Sequence, residues 1–317
     1  MITTVEIADH DYAGGSDRHV ELETSTVVAP SGEFIVRKRP GPPSGLRLVL
    51  LHGIGSTWRS WERVIPFLAD DVEVTVFDLP GFGRSPRPAE GMGADHAATD
   101  INAILSELCT SDLRSGLEPR PTVLVGHSLG TLAALHVGLQ RPDNVVGLIV
   151  VSGAVLSLLD LLRHPARSLV TEPLRLLKAA LPVVASGLPL PDFVRRPLAR
   201  NQFYQRLAMD QAVARPELLD DEVKAQSLER LHHRNVYPAT ANAFGYDYRA
   251  TFGRLAIPVS FINGTEDQLS EPADVERLAA ICGSDTITWL ERVGHWPNLE
   301  TPDLLARAVD RHAAAFL

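Results

Sequence analysis

The stretch TVLVGHSLGTLAALHVGLQ, residues 122–140, decides the fold. It begins with four apolar or β-branched residues, 122–125, which predict a short strand covered on both faces. A run rich in Leu and Ala starts at Leu129 and predicts a helix. Between them lies the pentapeptide Gly126-His127-Ser128-Leu129-Gly130, which places a serine at a sharp turn from strand to helix. Such a turn strains the backbone and exposes the hydroxyl, and the flanking glycines leave room for it.

Short apolar runs of the same kind recur before and after this turn. They cover residues 46–51, 73–77, 145–151, 258–262 and 286–290. Helical candidates lie at about 60–69, 95–109, 129–140 and 272–281, and a final one begins at about 302. Strands that alternate with helices form a parallel sheet with right-handed crossovers. The pattern predicts an α/β fold with a mostly parallel sheet and helices on both faces.

The first forty residues follow another pattern. Residues 3–7, 18–28 and 33–39 read as strands, and turn-rich segments separate them. Strands joined by short turns pair antiparallel. We therefore expect an antiparallel start to the sheet.

Residues 152–250 interrupt the alternation of strands and helices. They read as helical and are broken by several prolines, from Pro165 to Pro216. This stretch carries 13 basic and 10 acidic residues, a net charge of +3, which leaves −12 on the other 218 residues. The predicted organisation is a core formed by residues 1–151 and 251–317, with 152–250 inserted as a helical cap.

A serine needs a base and an orienting acid to become a nucleophile. His295, in VGHWP, follows the predicted strand 286–290. Asp267, in NGTED, follows the strand 258–262, and its neighbour Glu266 stays open as an alternative acid. Catalytic groups of open parallel sheets gather at the carboxyl ends of the strands, where all these residues fall. We predict that Ser128, Asp267 and His295 are the catalytic residues.

An acyl-enzyme mechanism also needs donors for the oxyanion of the tetrahedral intermediate. The backbone N–H of Leu129, at the start of the helix, is one candidate. The other is the N–H of Ile54, in the turn His52-Gly53-Ile54-Gly55 that follows strand 46–51. Gly53 lets the backbone approach the substrate, and Trp296, beside the base, is the best aromatic candidate for a pocket wall. His52 and His127 are expected to hold loops through hydrogen bonds.

Composition excludes several classes of function. The 317 residues carry 30 basic and 39 acidic side chains, a net charge of −9, which argues against binding a nucleic-acid backbone. No run of eighteen apolar residues and no signal-peptide pattern is present, so we expect no stable membrane insertion. The two cysteines fit a reducing, cytoplasmic compartment. Of the basic residues 27 are Arg, a bias associated with bacterial genomes rich in G and C.

No cofactor or metal is expected. The spacings HxH and HExxH are absent, as is a glycine-rich phosphate loop. The adjacent pair His232-His233 is interpreted as a surface feature. Oligomeric state stays open.

Several motifs together resemble the α/β-hydrolase superfamily. They are HGIG at 52–55, DLPGFGRS at 78–85, GHSLG at 126–130, GTED at 264–267 and GHW at 294–296. The resemblance covers roughly residues 20–151 and 251–317, and it implies an eight-stranded type of sheet with the insertion in the place of the cap. The DLPGFGRS segment is expected to be architectural, with only a minor role near the pocket.

The resemblance implies a serine hydrolase that cleaves an ester or related acyl bond. The leucines and prolines of the insertion indicate that the substrate is small and largely apolar. Ser rather than Asp at position 128 disfavours the epoxide hydrolase and haloalkane dehalogenase branches. Hydrolases that cleave carbon–carbon bonds are similar in the GHS and GHW regions and remain an alternative. Two others are a ligand-binding protein without turnover and an acyl-transferring enzyme.

Overall fold

A single sheet of nine strands forms the centre of the protein in the computed structural model. The structure describes residues 1–5, 20–140, 142–174, 176–177, 180, 187, 190–229, 235–243 and 247–317. The strands are β1 (Ile2–Val5), β2 (Glu23–Ala29), β3 (Gly32–Arg39), β4 (Arg47–Leu51), β5 (Glu73–Phe77), β6 (Thr122–His127), β7 (Val145–Val151), β8 (Val259–Gly264) and β9 (Ile287–Leu290).

The strand order is β1-β9-β8-β7-β6-β4-β5-β3-β2. Only the pairs β2–β3 and β3–β5 are antiparallel, and the other six pairs are parallel. The strands predicted at 73–77 and 145–151 have the predicted bounds, and the other apolar runs form strands within two residues of theirs. The α/β fold with a mostly parallel sheet is confirmed.

The α-helices of the described part of the chain lie between the strands from β5 onward and after β9. They are α1 (Ala94–Arg114), α2 (Leu129–Gln140), α3 (Leu156–Arg163), α4 (Pro165–Thr171), α5 (Asp192–Ala199), α6 (Gln202–Met209), α7 (Asp221–Glu229), α8 (Val236–Ala243), α9 (Tyr248–Phe252), α10 (Pro272–Ile281), α11 (Pro297–Glu300) and α12 (Pro302–Ala314). The predicted helices at 129–140 and 272–281 have the predicted bounds.

The sheet is covered on both faces, as continuous apolar strands require. Along β4, Val49 and Leu51 belong to a core cluster with α1, α2 and α10, whereas Leu48 and Leu50 belong to a second cluster with α12. Successive side chains of a strand point to opposite faces, so an unbroken apolar strand supplies both cores. The core therefore lies in two layers, one on each side of the sheet.

Three local predictions were wrong. Strand β1 does not join the antiparallel strands β2 and β3; it pairs in parallel with β9 at the opposite edge, from Ile2 beside Ile287 to Val5 beside Leu290. It covers an edge that would otherwise expose unpaired backbone groups, and this long-range partner gives no local signal. Strand β2 also starts at Glu23 rather than at residue 18.

The helix predicted at 60–69 is replaced by two short 3₁₀ turns, Trp58–Trp61 and Ile65–Phe67. Pro66 lies in the second turn. Proline has no backbone N–H to donate and its ring clashes with the preceding turn, so a regular helix cannot continue through it.

Between β7 and β8 the described residues are helical, from α3 to α9. Part of this insertion has a small core of its own. It comprises Ala199, Met209, Ala212, Val213, Leu219 and Leu228, together with Leu299 of α11. Leu299 thus connects the insertion to the main body. The pair His232-His233 lies outside the described residues.

Candidate active site

The turn between β6 and α2 holds Ser128 in a left-handed backbone conformation, with φ = 51°. Non-glycine residues adopt this conformation at a cost, and they do so mainly where the surrounding structure enforces it. A Cβ at Gly126 would lie 2.6 Å from the Gly130 carbonyl oxygen, and one at Gly130 would lie 2.5 Å from that of Leu51. The two glycines are therefore required by close backbone packing around the serine.

Ser128 and His295 are in contact, although 167 residues separate them in the chain. The distance from Ser128 Oγ to His295 Nε2 is 3.1 Å. The other ring nitrogen, Nδ1, lies 3.1 Å and 3.0 Å from the two carboxylate oxygens of Asp267. A carboxylate accepts, so Nδ1 carries the proton and Nε2 is free to accept from the serine hydroxyl. This is the order of contacts that a serine, a base and an orienting acid require.

Sheet pairing explains how these loops meet. Four neighbouring strands, β6, β7, β8 and β9, run parallel. The loops that follow them therefore all leave the sheet at the carboxyl-terminal ends of the strands. Backbone hydrogen bonds connect these loops to one another and to the strand ends: Ser128 N–H donates to Val151 O, and Glu266 N–H donates to Val293 O. The Asp267 carboxylate also accepts from the N–H groups of Leu269 and Ser270, which hold it in a defined orientation.

Glu266, the alternative acid, faces away from His295. Its two carboxylate oxygens accept hydrogen bonds of 2.7 Å and 2.9 Å from the guanidinium of Arg215, in the insertion. Asp267, with its side chain fully buried, is the carboxylate that contacts the imidazole.

The glycine-rich turn after β4 lies beside the serine. Leu51 pairs with Gly126 across β4 and β6, so the two turns leave adjacent strands at the same level. A Cβ at Gly53 would be 3.2 Å from Ser128 Cβ, which shows how closely this backbone approaches the serine. Among the described hydrogen bonds, none has the N–H of Ile54 or Leu129 as its donor. Both are thus candidates to bind an oxyanion.

Two histidines hold the loops around the serine, as predicted. His52 accepts from Leu79 N–H at Nε2 and donates from Nδ1 to Gly53 O, at 2.7 Å. His127 donates from Nε2 to the backbone carbonyl of His295, at 2.8 Å. Burial lowers the pKa of His127 to about 3, which favours the neutral imidazole at physiological pH.

Trp296 is partly buried and packs against the small core of the insertion. It lines neither of the cavities described below, and its role in substrate binding stays a prediction.

Two cavities lie close to the candidate triad. A narrow one, of about 20 Å³, is lined by apolar residues and a glycine, and its walls include Leu129, Leu132, Met92 and Phe82. Phe82 comes from the DLPGFGRS segment, so that segment contributes to a pocket wall. A larger one, of about 590 Å³, adjoins Asp267 and has mixed walls that include Leu158, Leu161, Gln211 and Gln268.

Sequence reasoning did not single out two residues that contact the loop of the base. The Ala212 carbonyl accepts from the N–H groups of His295 and Trp296, and the buried Glu300 carboxylate accepts from Gly294 N–H. Ala212 acts through its backbone and so leaves no trace in a motif. Glu300 gives one signal, a carboxylate close after the GHW motif, that a single sequence does not distinguish from a surface residue.

Comparison with known proteins identifies the family of this chain. The family model described as "Alpha/beta hydrolase family" matches residues 48–308. The chain belongs to the alpha/beta hydrolase family. The fold of this alpha/beta hydrolase is shared with an esterase from Thermogutta terrifontis, at 19% identity, a TM-score of 0.64 and coverage of 93% of this chain and 99% of the other.

Curated relatives of this alpha/beta hydrolase include a "Probable oxidoreductase EphD" of Mycobacterium tuberculosis. It is 26% identical over 319 residues, which cover 89% of this chain and 48% of the relative. A "Pimeloyl-[acyl-carrier protein] methyl ester esterase" of Aeromonas hydrophila is 36% identical over 111 residues, or 35% of this chain and 39% of the relative. The chain thus spans about half the length of the first relative and less of the second.

Among the described residues, no group of three or more His, Cys, Asp or Glu side chains is arranged to hold a metal ion. None of the described helices is long and apolar enough to cross a membrane.

Proposed function

We propose that this alpha/beta hydrolase is a serine hydrolase that cleaves an ester or related acyl bond through an acyl-enzyme intermediate. Ser128 is the nucleophile, His295 the general base and acid, and Asp267 the orienting carboxylate. The proposal depends on one observation: the unbroken series of contacts from Ser128 Oγ through the His295 ring to Asp267, at 3.1 Å and 3.0 Å.

The chemistry has two halves. His295 Nε2 takes the hydroxyl proton as Ser128 Oγ attacks the carbonyl carbon, and Asp267 stabilises the imidazolium that forms. The imidazolium then gives its proton to the departing alkoxide, which leaves as the alcohol. Water, activated by His295 in the same way, attacks the acyl-enzyme, and the serine regains its proton as the acid departs.

The oxyanion of each tetrahedral intermediate would accept hydrogen bonds from the N–H groups of Ile54 and Leu129. Leu129 begins α2, and the first N–H groups of a helix have no partner within the helix. The helix dipole also favours negative charge there. Losing one such donor typically costs about 3 kcal/mol of transition-state stabilisation.

The substrate we propose is small and largely apolar. The walls of the narrow cavity beside Leu129 carry only apolar residues and a glycine, which favours a hydrocarbon group over a polar one. Residues 152–250 would act as a cap over the site, since Ala212 and Arg215 contact the loops of His295 and Asp267.

The experiment is labelling with a fluorophosphonate probe, followed by intact mass and peptide mapping, in the wild type and in Ser128→Ala. We expect one adduct, on Ser128, and turnover of p-nitrophenyl esters that the variant lacks. Ser128→Ala keeps the fold because the side chain is only half-buried and its loss opens no core cavity. A folded wild type without adduct or turnover would refute the proposal and favour a ligand-binding protein; ester turnover in Ser128→Ala would refute the role of the serine.

A further inference from the structure

The backbone around His295 is held on both sides by a single buried side chain. Glu300, the last residue of α11, is fully buried. Its carboxylate accepts from Gly294 N–H, at 2.9 Å from Oε2, and from Trp296 N–H, at 3.2 Å from Oε1. These N–H groups belong to the two residues that flank His295 in the chain.

The same carboxylate reaches the insertion. Glu300 Oε2 accepts from Ala214 N–H at 2.9 Å, and the nearby Ala212 carbonyl accepts from His295 N–H at 2.8 Å. A Cβ at Gly294 would lie 2.8 Å from Ala214 N and 2.9 Å from Ala212 O. The loop and the insertion therefore approach closely enough that only glycine fits between them.

These contacts restrain the position of the imidazole. Its two nitrogens already face Asp267 and Ser128, so the distance between His295 and Ser128 depends on where the loop backbone lies. A displacement of about 1 Å at a catalytic group can lower the rate by about a hundredfold. A carboxylate suits this position because backbone N–H groups donate to it from several directions, and such charge-assisted bonds are strong.

We propose that Glu300 is a positioning residue for His295, and that it joins the loop of the base to residues 212–214 of the insertion. This proposal rests on the function proposed above. It implies that residues 212–214 stay in contact with the loop of His295. Any opening of the insertion would then involve other residues of the insertion.

The test compares Glu300→Gln with Asp100→Asn. An amide at position 300 would turn a donor NH₂ group toward at least one backbone N–H, which breaks the clamp with almost no change in volume. Asp100 is a matched control: it is also a buried carboxylate that accepts from a backbone N–H, that of Ser31, but it lies in α1 away from the site.

Two measurements are made at a temperature at which both variants are folded. The first is steady-state ester hydrolysis, where we expect Glu300→Gln to lower kcat about a hundredfold with KM changed less than about twofold. The second is the downfield proton NMR signal of the His295 Nδ1–H that faces Asp267. We expect this signal to shift or broaden in Glu300→Gln and to stay in place in Asp100→Asn.

A folded Glu300→Gln variant with unchanged kcat and an unchanged NMR signal would overturn the proposal. An equal fall in kcat in Asp100→Asn would do so too, because the effect would then be general destabilisation. If Glu300→Gln does not fold, Glu300→Asp draws the oxygens back while keeping the charge, and the same pair of measurements decides. The NMR signal needs no turnover, so it separates a failure of this proposal from a failure of the proposed hydrolase activity.

Discussion

The carboxylates of the consecutive residues Glu266 and Asp267 bind different partners: Asp267 contacts the His295 imidazole, whereas Glu266 binds the guanidinium of Arg215. The Glu266–Arg215 pair is partly exposed, with side-chain exposures of 41% and 31%. The Asp267 side chain is fully buried. Exposed ion pairs contribute little, whereas a buried carboxylate that orients a base is coupled to catalysis.

We therefore predict that Asp267→Asn slows ester hydrolysis far more than Glu266→Gln. The amide would hold the imidazole in the wrong tautomer, which in another triad costs about 10⁴ in kcat. For Glu266→Gln we expect a change of less than about tenfold. Steady-state kinetics of both variants checks this, and the reverse order would assign the acid to Glu266.

The narrow apolar cavity predicts the effect of a change at Met92. This side chain lines the cavity and lies against Gly81, where a Cβ would be 2.5 Å from the methionine sulfur. Met92→Ala should enlarge the cavity and shift the preference among p-nitrophenyl esters toward longer acyl chains. We expect the kcat/KM ratio of hexanoate to acetate to rise at least about tenfold, since one methylene in an apolar pocket is worth that much.

Met209→Ala is the control for this prediction. Met209 is also buried, but it belongs to the core of the insertion and does not line the cavity. Both truncations should lower stability, whereas only Met92→Ala should change the preference. An unchanged hexanoate-to-acetate ratio in Met92→Ala would mean that the acyl group binds elsewhere.

A buried ionic cluster lies at the other end of the sheet. Arg47, at the start of β4, binds Glu73 and Asp112, and Arg120 lies near the same two carboxylates. All four side chains are at most 7% exposed. Burial opposes the charge of Arg47, but the hydrogen bonds to Glu73 and Asp112 outweigh it and raise its pKa. The two arginines balance the charge of the two carboxylates, so the loss of either arginine leaves buried negative charge.

Arg47→Met should lower the free energy of unfolding by about 3–5 kcal/mol, because it leaves buried carboxylates with too little positive charge. Arg307→Met, which removes a partly exposed pair with Asp303, should cost less than about 1 kcal/mol. Denaturant unfolding measures both. The kcat of folded Arg47→Met should equal that of the wild type, since β4 starts at the edge of the sheet opposite the triad.

The stability of the protein should depend on pH through Asp310. Burial raises the pKa of this carboxyl to about 6, above its usual value of 3.8, although the N–H of Ala69 and the charge of Arg39 act in the opposite direction. A raised pKa means that the folded state binds the proton more tightly than the unfolded state does. The ionised carboxylate therefore destabilises the fold, and stability is lost as the pH rises from about 4 to about 6.

Asp310→Asn removes this dependence. The free energy of unfolding of the variant minus that of the wild type should increase between pH 4 and pH 6 and stay level above pH 6. Chemical unfolding at a series of pH values checks it, and the difference near pH 4 is the internal reference. A difference that stays flat across this range would show that Asp310 titrates normally.

Most of the sheet could be predicted from the sequence because its strands are short, apolar and separated by helices. The runs at 73–77 and 145–151 became strands with those bounds, since a strand buried on both faces tolerates few polar residues. The strand at the β1 edge of the sheet was harder to predict. β1 looked like part of an antiparallel start, and its pairing with β9 depends on which edge is left uncovered after the chain has folded.

The sequence by itself determined what depends on short-range sterics: the strained turn at Ser128, the glycines beside it and the alternation of strands and helices. Only the tertiary structure decided which carboxylate, Asp267 or Glu266, contacts His295, because neighbouring side chains on one loop differ in direction rather than in type. Only it brought Glu300 and Ala212 to the loop of the base. The contacts made by Ala212 and Ala214 join residues more than about 80 apart in the chain through the backbone groups of the insertion, which carry no signature of their own in the sequence.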